Sequence, residues 1–258
     1  MSDLLYEIQD QIAVITLNRS EKHNAFDDKI LAQMQNLFNQ AIDNPEIRVI
    51  LLKAHGKHFS AGADLDWMQS MIAYNLEQNL QDAMILANLM ATIYHCPKPT
   101  IAVVQGSAYG GGAGLVAACD TAIAADNARF CFSEVKLGLI PAVISPYVIN
   151  AIGQRATKAL FMSAEILEVK RALDLNLIQH CVAEKDLLEF SFKYAQSIAN
   201  NAPLSVRAAK KLVNYVANQT INDELTLYTA ALIAEQRIGA EAQKGLKAFL
   251  NKKTPNWN

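Results

Sequence analysis

The sequence predicts an α/β fold in which short strands alternate with helices as ββα units, continued by a helical C-terminal region. Three observations predict it. Runs rich in Ile, Val and Leu alternate with helically spaced apolar residues up to about Pro141; beyond Pro141 almost every segment has helical spacing; and no linker, low-complexity tract or repeat interrupts the chain. Leu4 to Ile8 and Ile12 to Leu17, separated by Gln9-Asp10-Gln11, predict a hairpin. Leu31, Met34, Leu37, Phe38 and Ile42 recur at helical spacing, and Val49 to Lys53 reads as the next strand. Met84, Leu86, Ala87 and Met90 mark a second helix ahead of Pro97, with strands at Thr100 to Gln105 and Thr121 to Ala125. After Gly153, helices are expected near 156–162, 170–176, 185–200, 203–217, 222–237 and 241–251. A catalytic core over 1–195 and an oligomerisation region over 196–258 follow, the latter carrying enough apolar surface to suggest self-association.

Composition excludes several partners. The 258 residues hold 23 Lys plus Arg against 25 Asp plus Glu, a net charge of -2, so there is no basic excess for nucleic acid and no polybasic block for a membrane surface. With 52% hydrophobic and 19% charged residues the chain is far from disordered. The charge-poor stretches from Pro99 to Cys119 and Leu137 to Gln154 are broken by glycine, proline, Gln105 and Asn150, which marks protein interior rather than a lipid-facing helix. The N-terminus has no secretory pattern, and Cys96, Cys119, Cys131 and Cys181 form no C-x-x-C pair. A cytoplasmic protein with reduced thiols and no metal is expected.

Chemistry is sought where glycine interrupts the apolar pattern. Phe59-Ser60-Ala61-Gly62-Ala63-Asp64 precedes the helix start Leu65-Asp66-Trp67-Met68, and small residues there let a ligand approach main-chain N–H groups. Gly106 to Gly114 runs from a strand into a second helix start, which offers free N–H donors and the positive end of a helix dipole. Either turn also reads as tight packing alone. Nucleotide fingerprints fail: a G-x-G-x-x-G from Gly110 meets Leu115, and a P-loop from Gly106 meets Gly112 where Lys is required. There is no G-x-S-x-G, and His55-Gly56-Lys57-His58 reads as a solvated turn rather than a metal site. Glu134, alone in the apolar stretch from Phe130 to Pro141, is either a surface acid at a strand end or a carboxyl whose pKa burial raises into the range useful for proton exchange.

Taken in order, Asn18-Arg19, Asn24-Ala25-Phe26, Ser60 to Asp64, Gly106 to Gly114, Cys119-Asp120 and Glu134 with Gly138-Leu139-Ile140-Pro141 resemble the enoyl-CoA hydratase/isomerase, or crotonase, superfamily. The resemblance implies a crotonase-like spiral of ββα units with a C-terminal trimerisation region, a homotrimer or dimer of trimers, and an acyl-CoA substrate, with no cofactor apart from the coenzyme A that is part of that substrate. By the same resemblance Ala63 and Gly111 donate the two main-chain N–H groups that hold the thioester oxygen, and Glu134 exchanges the proton at the α carbon. Lys22, His23 and Ala25 belong to the loop that contacts CoA, Ala61, Asp64, Leu65 and Gly114 line the substrate site, and Phe249 and Lys252 reach the adenine and phosphates.

One departure stands out. Family hydratases carry a first glutamate where this chain has Gly114, and Asp120 lies where the family uses an acid structurally. A Δ3,Δ2-enoyl-CoA isomerase needs one carboxylate, whereas hydration needs Glu134 to manage both proton steps or a substrate group to help. The strings Ala63 to Met68 and Ser133 to Tyr147 nevertheless look most like the methylglutaconyl-CoA hydratase branch of leucine breakdown within fatty acyl metabolism. Such a substrate has a distal carboxylate, for which Lys136 is a candidate cation, two residues from Glu134 and on its face if the segment is extended. A hydratase, an isomerase, and a non-catalytic acyl-CoA or RNA-binding relative are the three readings.

Overall fold

The computed structural model describes residues 2–257. Strands β1 (Leu4–Gln9) and β2 (Ile12–Leu17) form the expected hairpin, turning through Asp10 and Gln11, both at positive φ. From β2 onward the main sheet is parallel, through β3 (Val49–Ala54), β4 (Thr100–Val104), β6 (Thr121–Ala125) and β9 (His180–Val182), in the order β1-β2-β3-β4-β6-β9. A second sheet joins β5 (Ser107–Tyr109), β7 (Arg129–Cys131) and β8 (Leu167–Glu168). Parallel strands are buried on both faces, which is why they read as unbroken apolar runs. Alternate residues divide between two cores: Ala13, Ile15, Ile50, Leu52, Ala102 and Val104 enter the large one, while Ile12, Val14, Val49, Leu51, Ile101 and Val103 face the small one.

Helix α1 (Asp28–Asp43) starts where the Asp27 carboxylate accepts the Ile30 amide at 2.9 Å, and it buries Ile30, Leu31, Met34, Phe38 and Ala41 on one face. After the short α2 (Leu65–Met71), α3 (Leu76–Tyr94) opens with a reciprocal cap between Asn75 and Gln78 and lies against α1. Helix α4 (Gly111–Ala118) is buried from Gly112 to Ala118. Helix α5 (Ser145–Ser163) bends at Gly153, whose φ is 77°, so the helix predicted at 156–162 is only its second half. Helices α6 (Val169–Asp174) and α7 (Leu187–Ala199) follow, and α7 covers the small core with Leu187, Ala195 and Ala199. Within α7, Ala195 and Ala199 both pack in the small core. Helices α8 (Pro203–Val216), α9 (Asp223–Ile238) and α10 (Ala240–Leu250) complete the molecule without a fully buried residue among them.

Candidate active site

Two loops are stitched together before any site residue is placed. Asn24, fully buried at a φ of 54°, donates through Nδ2 to the carbonyls of His55 (2.8 Å) and His58 (2.7 Å) and accepts the Arg19 amide at 2.8 Å. Ser60 Oγ donates to the Asn24 carbonyl and accepts the Gly62 amide, and the Ala61 amide donates to the His23 carbonyl. Phe26 then pairs with Ala63 as an isolated bridge: the Phe26 amide donates to Gly62 and the Asp64 amide to Phe26, each at 2.9 Å. Alternation along a strand turns the Ala63 N–H away from that pairing. It donates to no acceptor among the described residues.

The second turn meets the first. Gly62, at a φ of 92°, has no room for a side chain, since a Cβ there would lie 2.9 Å from the Tyr109 carbonyl oxygen and 3.9 Å from the Gly111 nitrogen. Gly110 turns the chain at a φ of 51° and donates to the Cys131 carbonyl, leaving Gly111 as the first residue of α4. The Gly111 N–H is one of the orphan donors of that helix start, adds the positive end of the α4 dipole and has no acceptor in the described chain. A Cβ at Gly111 would collide with the Phe26 ring at 2.8 Å, so the absence of a side chain is what lets the two turns close up.

Glu134 follows β7 and opens a 3-10 turn, Glu134–Leu137, instead of ending a strand. Its Oε1 lies 3.4 Å from where a Gly110 Cβ would be, and its Oε2 is buried with no hydrogen-bond partner. Burial pushes its carboxyl above the ordinary range, partly offset by a hydrogen bond from its own backbone amide. Ala63, Gly111 and Glu134 share the wall of one cavity of about 820 Å³, whose remaining wall is mostly apolar and includes Phe26, Trp67, Leu86, Ile140 and Ile144. Two free N–H donors and an unpartnered carboxyl on one apolar cavity can polarise a carbonyl and move a proton beside it.

The other expected residues divide. Leu65 lines the cavity. Lys22, His23, Ala25 and Ala61 build the loops behind Ala63; Lys22 Nζ donates to Asp64 (3.2 Å) and Asp66 (2.9 Å), and the Arg19 guanidinium contacts Asp64 at 2.9 Å. Asp64 is occupied by these cations and by capping α2 through the Asp66 and Trp67 amides. Gly114 lies behind the cavity wall, not on it: a Cβ there would stand 2.2 Å from Ile144 Cγ2 and 3.1 Å from Met90 Cε, so Ile144 fills the space a longer side chain would need. Phe249, in the last turn of α10, and Lys252, just beyond the helix, are outside the cavity lining. Lys136 is exposed and also outside it, because the 3-10 turn breaks the two-residue alternation that would have set it beside Glu134. His55, Gly56 and Lys57 are exposed as a solvated turn requires, while the half-buried His58 accepts the Ser107 amide through Nδ1. Among the described residues no cluster of His, Cys, Asp or Glu could hold a metal, and no helix is long and apolar enough to cross a membrane.

Sequence reasoning missed Asp82. It lines the cavity from α3 and accepts the Trp67 indole N–H at 2.8 Å. The available signal was its spacing: Asp82, Leu86 and Met90 are four residues apart on one helical face, a single acid on an otherwise apolar stripe.

Comparison with known proteins finds relatives over nearly the whole chain. The family model for enoyl-CoA hydratase/isomerase matches residues 7–258. A solved Legionella pneumophila chain assigned to the enoyl CoA hydratases/isomerases (crotonases) is 62% identical, with a TM-score of 0.97 and 100% of both chains covered. The 2,3-dehydroadipyl-CoA hydratase of Escherichia coli is 30% identical over 100% of this chain and 99% of its own length. The enoyl-CoA isomerase/hydratase fer4 of Mycosarcoma maydis is 33% identical over 93% of this chain and 90% of its own.

Proposed function

The chain belongs to the enoyl-CoA hydratase/isomerase family, and within it we propose that this protein adds water across the 2,3 double bond of a short enoyl-CoA. One observation carries the reading: Glu134 Oε2 is buried without a partner on the cavity that also holds Ala63 and Gly111, whose amides have no acceptor. In this scheme the two amides receive the thioester oxygen and stabilise the enolate that forms as water oxygen bonds to C3. Glu134, as carboxylate, takes the proton that water loses and returns it to C2, so one group serves both proton steps and ends as it began. A carboxyl whose pKa burial has raised is suited to that exchange. The loops of Lys22, His23, Ala25 and Ala61 are assigned to the CoA moiety, and Phe249 and Lys252 to its adenine and phosphates.

Hydration of crotonyl-CoA, followed by loss of the conjugated enoyl absorbance, is the test. Glu134→Gln is expected to lower kcat by about 10³-fold, and unchanged turnover in the variant would remove Glu134 from the mechanism. A second reading, Δ3,Δ2-enoyl-CoA isomerase, is favoured by the filled space at Gly114, which leaves no room for a second carboxylate on α4 and leaves Glu134 as the acid close to the Gly110–Gly111 turn. It predicts conversion of a 3-enoyl-CoA to the 2-enoyl isomer without incorporation of solvent oxygen.

A further inference from the structure

The cavity wall has a charge pattern that the hydration scheme does not use. Along α3, Met90 approaches Gly114, and Leu86 stands 3.7 Å from where a Gly111 Cβ would be. One turn further, about 6 Å along the helix axis, Asp82 lines the same cavity. Its Oδ1 accepts Trp67 Nε1 at 2.8 Å, which pins the carboxylate to the α2 side of the wall; Oδ2 takes no hydrogen bond among the described residues. Burial raises the Asp82 carboxyl, the indole donor opposes that rise, and Asp28 adds to it. Asp82 and Glu134 are the two carboxylates of the lining, and no Lys, Arg or His is present there to balance them.

Resting on the enoyl-CoA reading above, we propose that Asp82 is a specificity-determining residue that admits uncharged acyl groups and rejects those ending in a carboxylate. A substrate carboxylate in this cavity meets like charge in an apolar surround. For unit charges within about 10 Å of each other at an effective dielectric constant of about 20, that repulsion weakens binding by about tenfold or more. The rule runs against the distal-carboxylate substrate that the sequence strings suggest, and Lys136, the cation such a substrate would need, is exposed and off the cavity.

The test compares kcat/KM of the wild-type protein for crotonyl-CoA with that for glutaconyl-CoA and 2,3-dehydroadipyl-CoA, and repeats the comparison in Asp82→Asn, whose amide oxygen can still accept from Trp67. The expected result is a preference for crotonyl-CoA of at least about tenfold, narrowed about tenfold in the variant through KM for the carboxylated substrates. A wild type that takes glutaconyl-CoA as readily as crotonyl-CoA overturns the proposal, as does a ratio that Asp82→Asn leaves alone. Asp82→Ser gives the same ratio if the first variant does not fold. Calorimetric titration with butyryl-CoA and glutaryl-CoA separates the two ideas. If no enoyl-CoA is hydrated, the hydratase reading fails by itself, and tighter binding of butyryl-CoA still supports the charge rule, whereas equal binding ends it.

Discussion

Glu134 and Asp64 are both withdrawn from water, yet burial acts on them with opposite outcomes. Around Glu134 nothing compensates desolvation except its own amide, so the folded pKa lies above the ordinary 4.5. An acid with a raised folded pKa contributes stability that is fully present below the unfolded value and lost as pH rises through the folded one. Glu134→Gln should therefore be more stable than wild type by about 1–2 kcal/mol at pH near 8, with the gain vanishing near pH 4; urea denaturation at the two pH values measures it. Asp64 also pays for burial, but the Asp66 and Trp67 amides, Lys22 and Arg19 outweigh that cost and hold its pKa below the ordinary 3.8. Its contribution is present above 3.8 and lost as pH falls through the folded value. Asp64→Ala should cost about 1–2 kcal/mol at neutral pH through loss of the α2 cap, and less in acid. A cost that stayed constant down to pH 2 would show that the charge has no part in it. The isolation of Glu134 among apolar residues was legible in the sequence, whereas the company around Asp64 was not, because Arg19, Lys22 and Asp64 meet only after two distant loops are stitched through Asn24.

Among the elements, α4 shows how a missing side chain is as much a packing decision as a chemical one. The glycine at 114 is readable as an absent acid, but the sequence does not reveal that Ile144, thirty residues on, stands where even a methyl group would collide. Gly114→Ala should destabilise the protein by about 1–3 kcal/mol through overpacking, Gly114→Glu by more, and Ile144→Ala should recover much of either loss; thermal unfolding of the single and double variants checks the coupling. If Gly114→Glu alone unfolds at the wild-type temperature, Ile144 is not the obstacle. The same distinction separates the elements that pattern finds from those it misses. Strands β2, β3, β4 and β6 are five or six residues long and buried on both faces, so each leaves an apolar run. β5, β7, β8 and β9 are two or three residues long and are fixed by register with neighbours, which no local periodicity records. Glu134 belongs to this second group: its aim into the cavity depends on the β7 pairing and on a 3-10 turn, and an extended reading of that segment misplaces Lys136.

The whole molecule is unevenly satisfied. Two cores are closed, and α8 is tied down: Lys210 donates to Asp120 at 2.6 Å and to the Lys98 carbonyl, and Glu241 on α10 accepts the Leu204 and Ser205 amides at the α8 start. Arg48 donates to the Trp257 carbonyl at 2.8 Å, holding the C-terminal segment to the same side. A region so anchored is not a frayed tail, yet its helices bury no residue fully and expose Leu227 (72%), Ile238 (81%), Phe249 (79%) and Leu250 (78%) to solvent. Family members are typically oligomeric, and the apolar faces of α9 and α10 have the character of surface that a second copy covers. Light scattering at micromolar concentration should give a mass that is a multiple of the 28.3 kDa chain. Leu227→Glu and Ile238→Glu, each placing a charge on that surface, should shift the population toward the single chain and lower the unfolding temperature as the lost association is withdrawn from the folded state. If Phe249 and Lys252 contact the CoA adenine and phosphates as proposed, dissociation should also raise KM for the CoA substrate. A wild type that runs as a stable single chain at that concentration, with full activity, would leave the exposed face unexplained and would remove Phe249 and Lys252 from the proposed CoA contacts.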